Sequence, residues 1–200
     1  MTRKSFLKNS TLAAFSISAF GMVNKKGDHY TGDCDTTNDI LGPFYRPDSP
    51  QRQDLTFDAL NGAVIDLKGI VYGPDCVTPI KNALVEIWHC NTAGEYDNES
   101  SDHHHRGKWY SNEEGQYAFK TILPGKYLNG KLYRPAHIHF RVTAPGMREL
   151  VSQIYFQGDP HIKEDPWASR ESATRRILPI SLEDTKGNLA VGFDIYLGKA

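Results

Sequence analysis

Six short apolar runs, each closed by turn residues, constrain this chain more than any other feature. They are VIDLKGIVY from Val64, ALVEIWHC from Ala83, QYAFKTI from Gln116, HIHFRVT from His137, VSQIYF from Val151 and VGFDIYL from Val191. Within each, β-branched and aromatic residues alternate with other types, the two-residue period of a strand with one buried face. Between them lie GPDC, NTAG, NEEG, LPGKYLNG, APG and QGDP, whose Gly, Pro, Asn and Asp residues supply tight-turn conformations. Strands and turns at such intervals predict an all-β fold, a single antiparallel β-sandwich. Only the stretch from Ala168 to Ile177 invites a short helix.

The 200 residues suit one domain. Residues 61–200 are expected to form the sandwich and 27–60 an extended arm. From Lys25 to about Asp54 the chain is rich in Gly, Asp, Thr and Pro, so an ordered arm and not a strand is predicted there. Residues 1–26 begin with Arg3, Lys4 and Lys8 and continue through a modestly apolar stretch, Thr11 to Val23, the pattern of an export signal. RKSFLK resembles a twin-arginine signal with Lys4 in the second arginine's place; Sec export is the alternative route. A secreted or periplasmic location follows, with the cytoplasm as the alternative if residues 1–26 are a helix of the folded protein. Twenty-three basic against 24 acidic residues give no overall attraction to nucleic acid or anionic lipid. No later run approaches the roughly 20 apolar residues of a membrane span.

Three cysteines, Cys34, Cys76 and Cys90, fit neither a zinc ribbon nor a CxxC pair. In an oxidising compartment they predict one disulfide plus a buried thiol, with the pairing left open.

Chemistry concentrates in RPAHIHF. On a strand, His137 and His139 project to one face about 7 Å apart while Ile138, Phe140 and Val142 project to the other. One metal could take both imidazoles, although two histidines can equally decorate a solvent face. Pro135 keeps the preceding residue extended, and Arg134 sets a permanent cation beside the pair. Tyr96, closing WHCNTAGEY, and Tyr127, closing LPGKY, each follow a glycine turn that lets a long aromatic side chain swing inward. Taken singly, each tyrosine also suits a sandwich edge, so spacing alone does not assemble the four.

The ordered series GPFYRP, VEIWHCNTAGEYDN, RGKW, GQYAFKTILPGKY, RPAHIHF, QIYFQGDP and FDIYL resembles the intradiol ring-cleavage dioxygenases, most closely the protocatechuate 3,4-dioxygenase and secreted catechol dioxygenase branch, over Leu41 to Leu197. The resemblance implies a non-haem Fe(III) enzyme that opens a catechol-type ring between its two hydroxylated carbons with O2, giving a cis,cis-muconate-type product. It implies Tyr96, Tyr127, His137 and His139 as ferric ligands and Arg134 as electrostatic support for charge developing on the ring. Tyr127 is implied as the ligand that leaves and accepts a substrate proton. Gln153 and Tyr45 are implied on the substrate side, with long active-site loops around Asp97 to Lys108 and Leu41 to Arg46 setting substrate choice. Two phenolates suit a hard trication, and neutral imidazoles add no charge. Catechol 1,2-dioxygenases dimerise through a long N-terminal helical region that this chain lacks, so a homo-oligomer would use another surface.

Other groups have plainer readings. The run His103, His104, His105, flanked by Ser100, Ser101, Asp102 and Arg106, is expected to be a solvated loop with side chains splayed outward. His89 reads as a strand residue beside Trp88, Asp159 as a turn former, and Arg134 alternatively as half of a structural ion pair. A secreted, transthyretin-like binding module would keep the fold without the iron, and a zinc hydrolase would need a carboxylate base that the sequence does not nominate near HxH.

Overall fold

The computed structural model describes residues 23–26, 29–32, 34–57, 62–182 and 188–200. Most of the expected export segment, residues 1–22, lies outside the described residues. Two short strands, β1 (Val23–Lys26) and β2 (His29–Gly32), pair antiparallel with each other. The arm is therefore not wholly free of strand: Val23↔Gly32 to Lys26↔His29 form a ladder where none was expected.

The remaining strands are β3 (Val64–Tyr72), β4 (Leu84–Trp88), β5 (Arg106–Tyr110), β6 (Gln116–Ile122), β7 (Tyr127–Asn129), β8 (Leu132–Arg134), β9 (His137–Thr143), β10 (Leu150–Phe156), β11 (Ile177–Leu178), β12 (Ser181–Leu182), β13 (Leu189–Gly192) and β14 (Ile195–Tyr196). One five-stranded sheet runs β11-β10-β9-β4-β5; the other runs β12-β13-β3-β14 with β6 also on β3. The sheets are mixed, not purely antiparallel. β11 joins β10, and β13 and β14 join β3, in parallel. The reason is connectivity: these short C-terminal strands arrive after long excursions and take whichever edge pairing satisfies their backbone groups. The expected helix is a 3-10 turn at Glu171–Arg176.

Apolar side chains of both sheets enter one hydrophobic core, including Ile65 and Leu67 of β3, Val85 and Ile87 of β4, Phe119 of β6, and Ile138, Phe140 and Val142 of β9. Strand β9 is decisive for everything that follows. Its core-facing residues register with Ile154, Ser152 and Leu150 of β10, while His137 and His139 register with Tyr155 and Gln153, and His139 with Trp88 of β4. Period-two alternation thus makes one face of the sheet apolar and the other rich in imidazole, indole and amide groups. On that second face His137 and His139 are buried too, with Gly42 of the arm against the His139 ring. The Cys34–Cys76 disulfide pins the arm's start to the turn after β3, and Cys90 is the buried free thiol.

Candidate metal centre

Short loops deliver two tyrosines to the covered face of β9. Gly94, at φ 85, brings its loop so close to the Lys126 carbonyl that a Cβ there would stand 2.4 Å from the oxygen. Only glycine permits that approach, and it sets Tyr96 beside Tyr127. Their ring centroids are 5.8 Å apart and nearly perpendicular; Tyr127 lies 5.6 Å from His137 and Tyr96 6.2 Å from His139. The two imidazoles are 5.0 Å apart. Strands and loops distant in sequence therefore bring together all four residues singled out as ligands.

The histidines are prepared differently. His137 Nδ1 lies 2.7 Å from the Pro135 carbonyl, an acceptor that requires Nδ1–H and leaves Nε2 a free lone pair, 3.3 Å from Tyr96 Oη. His139 stacks on Trp88 at 4.8 Å and 8°. On its other side Gly42, at φ 76, would place any Cβ 3.0 Å from the imidazole Cε1, so the arm closes on this ring. Though His139 is 1% exposed, neither of its nitrogens has a hydrogen-bond partner among the described residues.

A buried polar atom without a partner costs about 1–3 kcal/mol, so an orphaned imidazole beside His137 and Tyr96 fits a metal ligand. Burial drives His139 well below 6.5 and, with Arg134 nearby, lowers His137 to about 4. Both are thus neutral donors at physiological pH. Burial likewise raises the Tyr96 and Tyr127 hydroxyls, Tyr96 more strongly. Without a cation they stay protonated; a trivalent metal would reverse that preference. Among the described residues no three His, Cys, Asp or Glu side chains converge as a metal site. A metal at the HxH pair therefore needs the tyrosines, and the donor set of two phenols and two imidazoles suits a hard ion of high charge.

Arg134 is 2% exposed and pairs across the β7–β8 hairpin with Tyr127. Its Nε donates to Asp165 Oδ2 at 2.7 Å and its Nη2 to Gln153 Oε1 at 2.9 Å. Its guanidinium lies 4.4 Å from the Trp167 ring. Burial opposes its charge, but Asp165 outweighs burial and holds it above its ordinary value. The structural ion pair and the position beside the tyrosines coexist. Gln153 is fully buried and donates to the Ile40 carbonyl at 3.0 Å, so both ends of its amide are engaged.

Tyr45 is placed elsewhere. It packs edge-on against Trp88 at 5.0 Å, accepts from Arg141 at 3.0 Å and reaches toward Glu86 at 3.4 Å. The residue from the same arm that meets the cluster is its neighbour Phe44, stacked on Tyr96 at 4.3 Å and edge-on to Tyr127 at 5.8 Å. In an extended arm successive side chains alternate in direction, so Phe44 and Tyr45 point to different places.

The triple-histidine loop also departs from expectation. His103 and His105 adopt φ of 51° and 56°, which turns His105 inward to stack on His89 at 4.9 Å; His105 is 3% exposed. His103 and His104 remain partly exposed, and the His104 ring lies 3.4 Å from Asp97. His89 is fully buried and lies 2.7 Å from Thr121 Oγ1 and 2.8 Å from the Cys90 carbonyl. Asp159 braces its turn, accepting from the Ala136 and His161 amides at 2.9 Å each. Asp165, Tyr155, Asp39 and Arg176 gave no sequence signal as site residues, although Tyr155 stands two positions after Gln153 and hence on the same face.

Residues 40–198 match the family model described as Dioxygenase. The chain is 35% identical over 150 residues to catechol 1,2-dioxygenase 2 of Acinetobacter lwoffii, covering 65% of this chain and 54% of that protein. It is 35% identical over 183 residues to the protocatechuate 3,4-dioxygenase beta chain of Burkholderia cepacia, covering 80% and 77%. The fold matches the dioxygenase domain of a dioxygenase carbohydrate-binding fusion from Streptomyces sp. SirexAA-E, with a TM-score of 0.71 and 28% identity over 83% of this chain and 99% of that one. The chain spans about half the length of curated relatives such as the Acinetobacter protein, at 54%.

Proposed function

The chain belongs to the intradiol dioxygenase family, and from that premise we propose that it is an Fe(III)-dependent enzyme that cleaves a catechol-type ring with O2, between the two hydroxylated carbons, to a cis,cis-muconate-type product. The observation that carries this reading is the orphaned, buried His139 beside His137 and Tyr96, with Tyr127 against His137. A transthyretin-like binding module has no use for two unsatisfied nitrogens at that depth, and the named relatives do not favour it.

Tyr96, Tyr127, His137 and His139 would hold the iron. Ferric iron, when bound, would supply a hard Lewis acid that favours the deprotonated catecholate, the electron-rich form that reacts with O2. The protein's own groups do the rest. His137 keeps its donor nitrogen aimed inward through the Pro135 bond. Tyr127, the tyrosine paired across the hairpin with Arg134, would as a phenolate accept a proton from a substrate hydroxyl at its Oη. Tyr96, held face-to-face by Phe44, stays in place. Arg134 presents a fixed positive charge in a dry site to negative charge developing on the substrate, where preorganised charge is worth most. Gln153 orients Arg134 from the strand beside His139.

The Cys34–Cys76 disulfide supports an oxidising compartment and so a secreted or periplasmic enzyme whose first 26 residues are removed. Peptide mapping of protein from its host tests this, since a cytosolic product starting at Met1 would refute it. The activity itself is tested by an oxygen electrode coupled to mass spectrometry with catechol. Oxygen uptake with a muconate-type product is expected; an extradiol semialdehyde would overturn the mechanism.

A further inference from the structure

Behind Arg134 lies a second buried ion pair that the chemistry above does not use. Arg176 Nη1 donates to Asp39 Oδ2 at 2.7 Å, and both side chains are 3% exposed. Tyr155 Oη joins this pair to Arg134. It lies 3.0 Å from Asp39 Oδ2, 3.2 Å from Gln153 Oε1 and 3.4 Å from Arg134 Nη2. A hydroxyl has one proton, and a carboxylate is the stronger acceptor. Tyr155 therefore donates to Asp39 and offers its lone pair to Arg134 Nη2.

Two guanidiniums and two carboxylates, Arg134 with Asp165 and Arg176 with Asp39, make the quartet neutral, which is how four buried charges become tolerable. Every member has a second anchor. Arg176 also donates to the Gln153 carbonyl at 2.6 Å and to Thr37 Oγ1 at 2.9 Å, and Asp39 Oδ1 accepts from the Ile40 amide at 2.7 Å.

We propose that Tyr155, held by Asp39 and Arg176, is a positioning residue for Arg134, so that the arm from Thr37 to Gly42 sets the guanidinium's place as well as closing on His139. A guanidinium held only by Asp165 and Gln153 can rock about its Nε–Cζ axis; the Tyr155 oxygen and the Trp167 ring oppose that motion. This rests on the proposed role of Arg134 in ring cleavage, but the arrangement itself can be tested without turnover.

The chosen variant is Tyr155→Phe, which deletes one oxygen, keeps the ring against His137 and leaves both ion pairs intact. Asp39→Asn would strand Arg176 and confuse unfolding with misplacement. Two measurements are made on the full chain. In iron-free protein, nitrogen NMR of the arginine side chains should give separate, slowly exchanging Arg134 Nη signals in wild type and averaged signals in Tyr155→Phe. In iron-loaded protein, Tyr155→Phe should lower kcat about tenfold, the value of one hydrogen bond's free energy, with KM and the iron content within twofold. Combined with Arg134→Gln it should cost nothing further, since a residue acting through Arg134 has no effect once Arg134 is gone. Unchanged Arg134 signals, or a tenfold loss that persists in the Arg134→Gln background, would overturn the proposal. Absence of ring cleavage in wild type together with the expected NMR change would instead sink the proposed activity and leave the positioning intact.

Discussion

The two faces of β9 are both buried at its His137–Phe140 end yet stabilised by opposite means. On one, Ile138, Phe140 and Val142 join an apolar core shared by both sheets. On the other, one residue away each time, His137 and His139 sit against tyrosines, Trp88 and Gln153. The first face is complete as it stands. The second contains nitrogens without partners, and burial lowers the proton affinity of its imidazoles. A folded domain does not place such groups at zero exposure for stability. The difference separates what makes the fold from what makes the site.

The sharpest way to break that comparison is to make the second face resemble the first. His139→Leu keeps roughly the volume and removes both orphaned nitrogens. Iron affinity should fall by more than the ~100-fold that loss of an outer-sphere partner can cost, and ring cleavage with it. Thermal unfolding of the iron-free variant should show stability unchanged or raised by about 1–2 kcal/mol. A clearly destabilised iron-free variant would show that His139 serves the fold after all.

The mirror experiment is Phe140→Ala. It opens a cavity against Phe193, 5.3 Å away, and should cost about 4 kcal/mol in urea denaturation. Whatever protein remains folded should bind iron as before, because Phe140 faces away from the site. Loss of iron without loss of stability would contradict the division of faces.

A smaller effect sharpens the comparison in the neighbouring His89 and His105 stack. Burial lowers His89 to about 3 and His105 to about 4, below the 6.5 of an unfolded chain. Above pH 6.5 both states are neutral and these residues add no pH dependence. As pH falls below 6.5 the unfolded chain takes protons that the folded one refuses. Stability should then drop by up to about 1.4 kcal/mol per pH unit for each residue until the folded values are reached. His89→Gln should flatten that slope between pH 6 and 4 in iron-free protein. An identical slope in the variant would mean that His89 charges without unfolding the chain. The least effect belongs to the partly exposed His104: His104→Ala should change stability by less than about 0.5 kcal/mol and leave activity untouched.

Legibility followed range. The apolar alternation of VIDLKGIVY and HIHFRVT displayed strands directly, and HxH displayed its shared face, because side-chain direction in a strand depends only on position in the chain. Strand β5 was passed over because its first residues are Arg106 and Gly107, and what buries that arginine is a loop acceptor, the Asp97 carbonyl at 3.0 Å. The hairpin of β7 and β8 looked like a turn, since LPGKYLNG is all punctuation. Parallel partners such as β13 on β3 depend on crossovers that no local pattern encodes. Likewise the tyrosines became legible as a pair only through family resemblance, and Asp39, Tyr155 and Arg176 not at all, because a buried polar network is specified by what each group faces and not by spacing.

The visible spectrum of the iron-loaded protein tests the central claim most directly, that two phenols and two imidazoles on the covered face of β9 hold ferric iron. A burgundy protein is expected, with a tyrosinate-to-Fe(III) charge-transfer band that shifts when catechol is added without oxygen and persists from Tyr96 in Tyr127→Phe. A colourless protein at full iron occupancy would contradict it.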